Sequence, residues 1–277
     1  MIKNKKVKFF DKFLLIQYFK ALSTISTTLS FVLIFIEIPK CLKLTFGFIF
    51  ILLLIALYVI LYIIANKYKR IELTLNNSKI EIFEGDIFDA KGNKIITFNE
   101  FFDTIVDNNI ISTTSLNGKY ILECYPKVSL LDKIIEKNEH AKKCIIGTSK
   151  RTQGKQNKYK LGTIVKNNDY FLLAFSKFDE NNCAYLEIPD YLSCLINMWD
   201  ECNILYAGQS ISLPLLGSGI TRFKNYENIS DQELLELILW SLKLSKFRLK
   251  GFGKINIVLT SNTLDNISLF EIKNKFK

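Results

Sequence analysis

Residues 44–64 form an apolar run, LTFGFIFILLLIALYVILYII, that no charged residue and no proline interrupts. A helix rising about 1.5 Å per residue covers the roughly 30 Å core of a bilayer over such a run. It also satisfies the backbone hydrogen bonds that lipid cannot. The stretch before it, residues 21–38, is half polar, with Glu37 near its end and hydroxyls at Ser23, Thr24, Ser26, Thr27, Thr28 and Ser30. Hydroxyls in a membrane helix bond back to the turn before or reach across to a neighbour. The pattern therefore predicts a second span that faces protein, folded against the first through the tight turn at 39–43. A signal peptide is the other reading of 21–38. Its long basic preface and the lack of a small-residue cleavage pattern before Pro39 argue against that.

Past residue 70 the apolar runs shorten and begin to alternate. Runs at 71–75 and 79–83 around Asn76-Asn77-Ser78 predict a hairpin, and 94–98 predicts a strand that ends in Asn99-Glu100. A helix is expected to begin over 101–106, whereas 112–118 has the composition of a loop. Farther on, 131–139 reads as helix, 162–165 and 170–175 as strands, and 190–205 as a helix with a stripe at Leu192, Leu195, Ile196 and Trp199. A short strand at 210–216 opens into Gly217-Ser218-Gly219-Ile220-Thr221-Arg222. Ser230 and Glu233 then form a capping box for a helix over 232–247, followed by a strand at 254–260 and a helical tail over 264–276. Strands and helices alternate, so the expected fold is an N-terminal transmembrane α-hairpin followed by an α/β domain, a mixed sheet flanked by helices.

Charge locates the membrane face. The net charge of +10 invites a nucleic-acid reading, but residues 1–70 hold 11 Lys and Arg against 2 acids, leaving 26 against 25 for the remainder. The basicity belongs to the anchor, where it sets topology, and nucleic acid is not an expected partner. Lys3, Lys5, Lys6, Lys8, Lys12 and Lys20 precede the hairpin and Lys67, Lys69 and Arg70 follow it, against Lys40 and Lys43 in the turn. Both termini are therefore expected in the cytoplasm of a bacterial cell membrane. The expected organisation is a basic segment over 1–20, a two-helix hairpin over 21–66 and a cytosolic domain over 71–277. One basic stretch remains in that domain, 140–168, with eight Lys and Arg and no acid. It is either a solvated loop or hairpin, or a basic rim for a phosphorylated ligand or an anionic membrane.

The six cysteines, Cys41, Cys124, Cys144, Cys183, Cys194 and Cys202, form no CxxC pair and have a single histidine, His140, to join them. No metal site and no disulfide is expected. No Walker loop, HExxH or GxGxxG is present, so no catalytic residues are assigned. The chemistry that remains lies at strand ends. A strand ending in Gly217-Ser218-Gly219 lets backbone amides approach an anion, because glycine permits positive φ and puts no side chain in the way. An ordinary tight turn has the same sequence. Asp86 reads either as a ligand acceptor or as a turn residue, and Asn99 either as a ligand contact or as a cap. Arg222 is a phosphate partner or a surface charge beside Lys224. Trp199 and Trp240, both on helical stripes, are expected in the core.

Together these strand ends resemble the macrodomains, α/β folds that bind ADP-ribose. Gly85-Asp86-Ile87 stands where that family places a Gly-Asp-Ile whose Asp takes the adenine amino group. Asn99 ends the strand Ile95-Ile96-Thr97-Phe98 as does the family's asparagine facing the distal ribose. Ser115-Leu116-Asn117-Gly118 occupies the place of the glycine-rich phosphate loop but lacks most of its glycines. Pro214-Leu215-Leu216-Gly217-Ser218-Gly219-Ile220 matches the diphosphate-wrapping motif, and Thr221 and Arg222 follow it. More narrowly, the hairpin joined to Gly-Asp-Ile-Phe-Asp and Gly-Ser-Gly-Ile-Thr-Arg resembles the transmembrane-macro effectors of Thoeris anti-phage defence. That resemblance implies a receptor without a cofactor. Its ligand would be an ADP-ribose derivative, such as ADP-ribose joined to histidine, made from NAD by a partner protein with a TIR domain. Ligand binding would lead to self-association and damage to the cell's own membrane. The alternative is a membrane-tethered ADP-ribosyl hydrolase that uses Asn99 to position water, and a third reading is a tethered scaffold with a vestigial pocket.

Overall fold

The computed structural model describes residues 7–226, 229–248 and 253–277. Lys3, Lys5 and Lys6 of the expected basic segment lie outside them. The chain divides into two compact units, one comprising the N-terminal part to Lys69 with Ile267–Lys277, the other Arg70–Asn266.

In the first unit, helix α1 spans Lys12–Leu33 and α2 spans Lys43–Asn66, the latter entered through a single 3-10 turn, Lys40–Leu42. Helix α1 starts earlier than the expected span because Asp11 caps it, its Oδ1 accepting from the amides of Phe13 and Leu14 at 2.9 and 3.0 Å. It also ends earlier, which leaves Glu37 in the connection. The hydroxyls bond back along the helix, Thr24 to the carbonyl of Lys20 and Thr28 to that of Thr24. Among the described residues one helix, Lys40–Asn66, is long and apolar enough to cross a membrane. Helix α1, with its lysines and hydroxyl row, does not reach that mark.

The second unit opens with strands β1 (Arg70–Leu75) and β2 (Ser78–Glu84), an antiparallel hairpin whose turn residues Asn76 and Asn77 both take positive φ. Then come β3 (Asn93–Asn99), α3 (Leu116–Cys124), α4 (Val128–Lys137) and α5 (Glu139–Lys143). A small antiparallel pair follows, β4 (Ile145–Thr148) with β5 (Asn157–Tyr159), and after it β6 (Ile164–Asn167) and β7 (Tyr170–Phe178). The rest is β8 (Ala184–Leu186), α6 (Ile188–Leu205), β9 (Ile211–Pro214), β10 (Arg222–Phe223), α7 (Asp231–Leu244), β11 (Ile255–Leu259) and α8 (Ser261–Asp265). The last helix, α9 (Leu269–Lys275), returns to the first unit.

The main sheet runs β1-β2-β11-β9-β3-β7-β8-β10, with β6 paired to β7. Strands β2, β11, β9, β3 and β7 are mutually parallel, so their carboxyl ends share one edge. Strand β11 is buried along its whole length, as a strand covered on both faces must be. Trp199 is core as expected: it stacks on Phe247 with ring planes 13° apart, and its Nε1 donates to Ser241 at 2.9 Å. Trp240, however, is 38% exposed under Lys243, on the outer side of α7.

The expected helix over 101–106 does not form. Asn99 Oδ1 accepts from the amides of Phe101 and Asp103, and Phe102 sits at φ 51°, which turns the chain away from a helical path. Conversely, part of the expected loop over 112–118 is helical, because Ser115 accepts from the amide of Gly118 and caps α3.

Within the first unit, α9 forms part of the base of the helical pair. Phe270 is buried with Val7, Leu14, Tyr62 and Ala65, and Tyr68 packs against it. The amide of Val7 donates to Asn66 at 3.0 Å, and the Tyr58 hydroxyl bonds the carbonyl of Phe9. Hence Ile267–Lys277, expected in the cytosolic domain, groups with the helices.

Candidate functional site

Loops leaving the carboxyl ends of neighbouring parallel strands are where an open α/β sheet takes ligands. Residues 85–87 follow β2, Asn99 closes β3, and 217–222 lies just beyond β9. Strands β2 and β3 stand three strand spacings apart, roughly 14 Å, so the edge matches a ligand that lies extended across it.

The 217–222 segment is the open part of that edge. Gly217 has φ 91° at the third position of a turn closed by the Ser218 amide on the carbonyl of Leu215 at 3.4 Å. A Cβ there would also press within 3.1 Å of Phe223 and 3.3 Å of Leu234. Gly219 differs, because an added Cβ would meet nothing within 4 Å. The Ser218 hydroxyl donates to Leu215, and the buried Tyr191 hydroxyl donates to the carbonyl of Leu216 at 2.9 Å, fixing the approach to the turn. Past the turn, the amides of Gly219, Ile220 and Thr221 donate to no acceptor among the described residues. Ile220 is 68% exposed, and Arg222, exposed in β10, makes no ion pair among the described residues. Gly217, Ser218, Gly219 and Thr221 line one cavity of about 320 Å³ with Phe223, Tyr226, Ile229, Asp231 and Leu234.

The segment after β3 is closed. Asn99 is buried, and besides its two accepted bonds its Nδ2 donates to Asp103 at 2.9 Å. Asp103 is fully buried and pairs with Arg151 at 2.8 Å, while its other oxygen accepts from the Lys155 amide at 2.6 Å. The Arg151 guanidinium lies 4.2 Å above the Phe101 ring and donates to Asn182. Lys155 pairs with Asp132 and Lys158 with the buried Glu100. Burial pushes the Glu100 carboxyl above its ordinary pKa, against the pull of Lys158, the Phe178 amide and Lys177. The basic stretch therefore holds a hairpin, as the first of its two readings had it, but Arg151, Lys155 and Lys158 pair with acids of the domain.

The other predicted residues divide between these two characters. Asp86 is exposed and its Oδ1 accepts from the Phe88 amide at 2.9 Å, so it shapes a turn, while its second oxygen accepts from no donor among the described residues. It lines a separate cavity of about 410 Å³ with Phe83, Gly85, Asp89 and Asn256 among others. Ile87 is buried. Ser115 Oγ also bonds the carbonyl of Ser112 and Asn117, and Leu116 begins α3. Gly118 is tightly packed: a Cβ would fall 2.1 Å from the carbonyl oxygen of Ser112. Thus the structure gathers four of the predicted residues in one cavity, places Asp86 in a second, and lines neither with Ile87, Asn99, Ser115, Leu116, Asn117, Gly118, Ile220 or Arg222. Sequence reading missed Phe223 and Tyr226, aromatic residues directly after the glycine motif, whose position was the available signal.

The model of the Thoeris protein ThsA macro domain matches residues 80–260 of this chain. Thoeris protein ThsA of Bacillus amyloliquefaciens (strain Y2) is 36% identical over 254 residues, which cover 90% of this chain and 85% of that protein. Among solved structures, a mutant of the Oceanobacillus iheyensis macrodomain with ADPR is 17% identical with a TM-score of 0.46, over 75% of this chain and 97% of that one. The same macrodomain with ADP gives 16% identity and a TM-score of 0.46, over 75% and 95%.

Proposed function

The chain belongs to the Thoeris ThsA macro-domain family, and from that premise we propose that it is a membrane-anchored receptor of anti-phage defence whose α/β unit binds an ADP-ribose-type signal. The observation that carries the reading is the run of amides at Gly219, Ile220 and Thr221 that meet no acceptor among the described residues, next to an exposed arginine at a parallel sheet edge. Backbone donors of this kind hold phosphate without needing a charged side chain, and Arg222 adds a planar fork. Gly217, Ser218, Gly219, Ile220, Thr221 and Arg222 hold the diphosphate; Asp86 and Ile87 receive the adenine. Asn99 and the α3 start at Ser115, Leu116, Asn117 and Gly118 form the distal end. The signal is an ADP-ribose derivative such as ADP-ribose joined to histidine, made from NAD by a TIR-domain partner.

Receptor fits better than hydrolase. A hydrolase of this kind would use Asn99 to orient water, yet its oxygen accepts two amides and its Nδ2 donates to Asp103. The membrane helices, too, have no part in hydrolysis. In this reading both α1 and α2 cross the cell membrane with the termini in the cytoplasm, as the lysine distribution favours. Bound signal shifts the chain toward self-association, to the extent that it binds the assembled state more tightly than the resting one. Several helical pairs together then breach the bilayer, with the hydroxyls of α1 facing protein or water.

Cells expressing the chain with a TIR-domain partner should admit a membrane-impermeant dye when the signal is made. The Gly219→Val chain, expressed to the same level, should exclude it. Equal dye entry in both would overturn the receptor reading.

A further inference from the structure

His140 and Cys144 lie four residues apart at α5 and its C-cap, hence on one face, and Glu201 reaches them from α6. One ligand atom from each lies within 4.8 Å of those of the other two. His140 Nε2 is 2.6 Å from Glu201 Oε2, which accounts for those two side chains but not for the thiol beside them. The Cys144 sulfur has no hydrogen-bond partner among the described residues. Imidazole nitrogen, thiolate sulfur and carboxylate oxygen are the three donor types that zinc accepts, whereas calcium and magnesium call for oxygen alone.

We propose that His140, Cys144 and Glu201 form a zinc site, three protein ligands with water in the fourth position. Ligand atoms around a tetrahedral zinc stand about 3.5 Å apart, so the histidine and glutamate must separate by roughly an ångström. His140 can provide this, because its side chain is 45% exposed. Binding displaces the thiol proton of Cys144 to solvent, and the hydrogen that His140 shares with Glu201 leaves the nitrogen whose lone pair meets the metal. The location gives the metal a purpose. Cys144 directly precedes β4, and its carbonyl accepts the Lys160 amide just beyond β5 at 2.9 Å, so both ends of the β4–β5 hairpin meet at this residue. Zinc there fastens the root of the hairpin to α6, while Arg151 and Lys155 fasten its tip to Asp103. The metal lies away from the ligand edge. Asp190, in the first turn of α6, pairs with Lys177 near the end of β7, and Glu201 is eleven residues farther along, about 16 Å.

Cobalt is the probe, added to the full chain in detergent. One equivalent should give tetrahedral visible bands and a near-ultraviolet cysteine-to-cobalt charge-transfer band, and zinc should abolish both. Cys144→Ser should remove the near-ultraviolet band, His140→Ala at its exposed position should weaken cobalt binding at least tenfold, and Cys183→Ser should change neither. Absence of the band from the parent chain, or its survival in Cys144→Ser, would overturn the site.

Discussion

Two loops leave neighbouring strands of one sheet edge and have opposite characters. After β3, Asn99, Glu100 and Asp103 are buried and engaged with each other or with the basic hairpin. After β9, the chain turns once through Gly217 and then leaves three successive amides without an acceptor, and the Arg222 side chain without an ion pair, among the described residues. Both loops match motifs of a binding family, so a motif alone does not say which residues meet a ligand. The closed loop spends its polar groups on its own shape and serves as a wall. The open loop keeps its donors, which is the condition for binding an anion with no protein contact to break first.

The largest effect should come from breaking the wall. Asp103→Ala leaves Arg151, whose side chain is 10% exposed, without its carboxylate, and the loss of one partner from a buried pair costs about 3–5 kcal/mol. Chemical denaturation should show a drop of that order. A loss below about 1 kcal/mol would mean that the ion pair is not holding the loop. At the open loop, Arg222→Ala should leave the melting temperature unchanged, as expected for an exposed residue. Affinity for ADP-ribose should fall about tenfold, and much of the salt dependence of binding should go with it. Unchanged affinity would make Arg222 the surface charge of the alternative reading.

How far the sequence was legible follows from the range of the interactions involved. Local signals read true: the run at 44–64 lies within α2, the asparagines at 76 and 77 make the β1–β2 turn, and Ser230 with Glu233 forms the capping box of α7. Long-range pairings were hidden. Nothing near Arg151 in the chain announces Asp103, 48 residues away, so a hairpin that neutralises buried acids looked like a solvated or ligand-facing basic stretch. The helix expected over 101–106 failed for a subtler cause. Its apolar spacing was helical, but Phe102 takes a left-handed φ of 51°, which breaks a helix in its first turn. The stripe that placed Trp240 in the core omitted how wide a face α7 buries. In the site, strand ends at Asp86, Asn99 and Gly217 were readable, whereas the difference between an engaged polar group and a free one was not.

Gly219 separates binding from folding most cleanly, because an added Cβ there meets nothing within 4 Å. The decisive measurement is a calorimetric titration of the full chain in detergent with ADP-ribose, comparing the parent with Gly219→Val at matched melting temperature. The full chain is needed because α9 belongs with the helical unit. Saturable binding by the parent, weakened at least tenfold in the variant, is the predicted result; no binding by the parent, or equal binding by both, would contradict the assignment of this loop as the phosphate cradle.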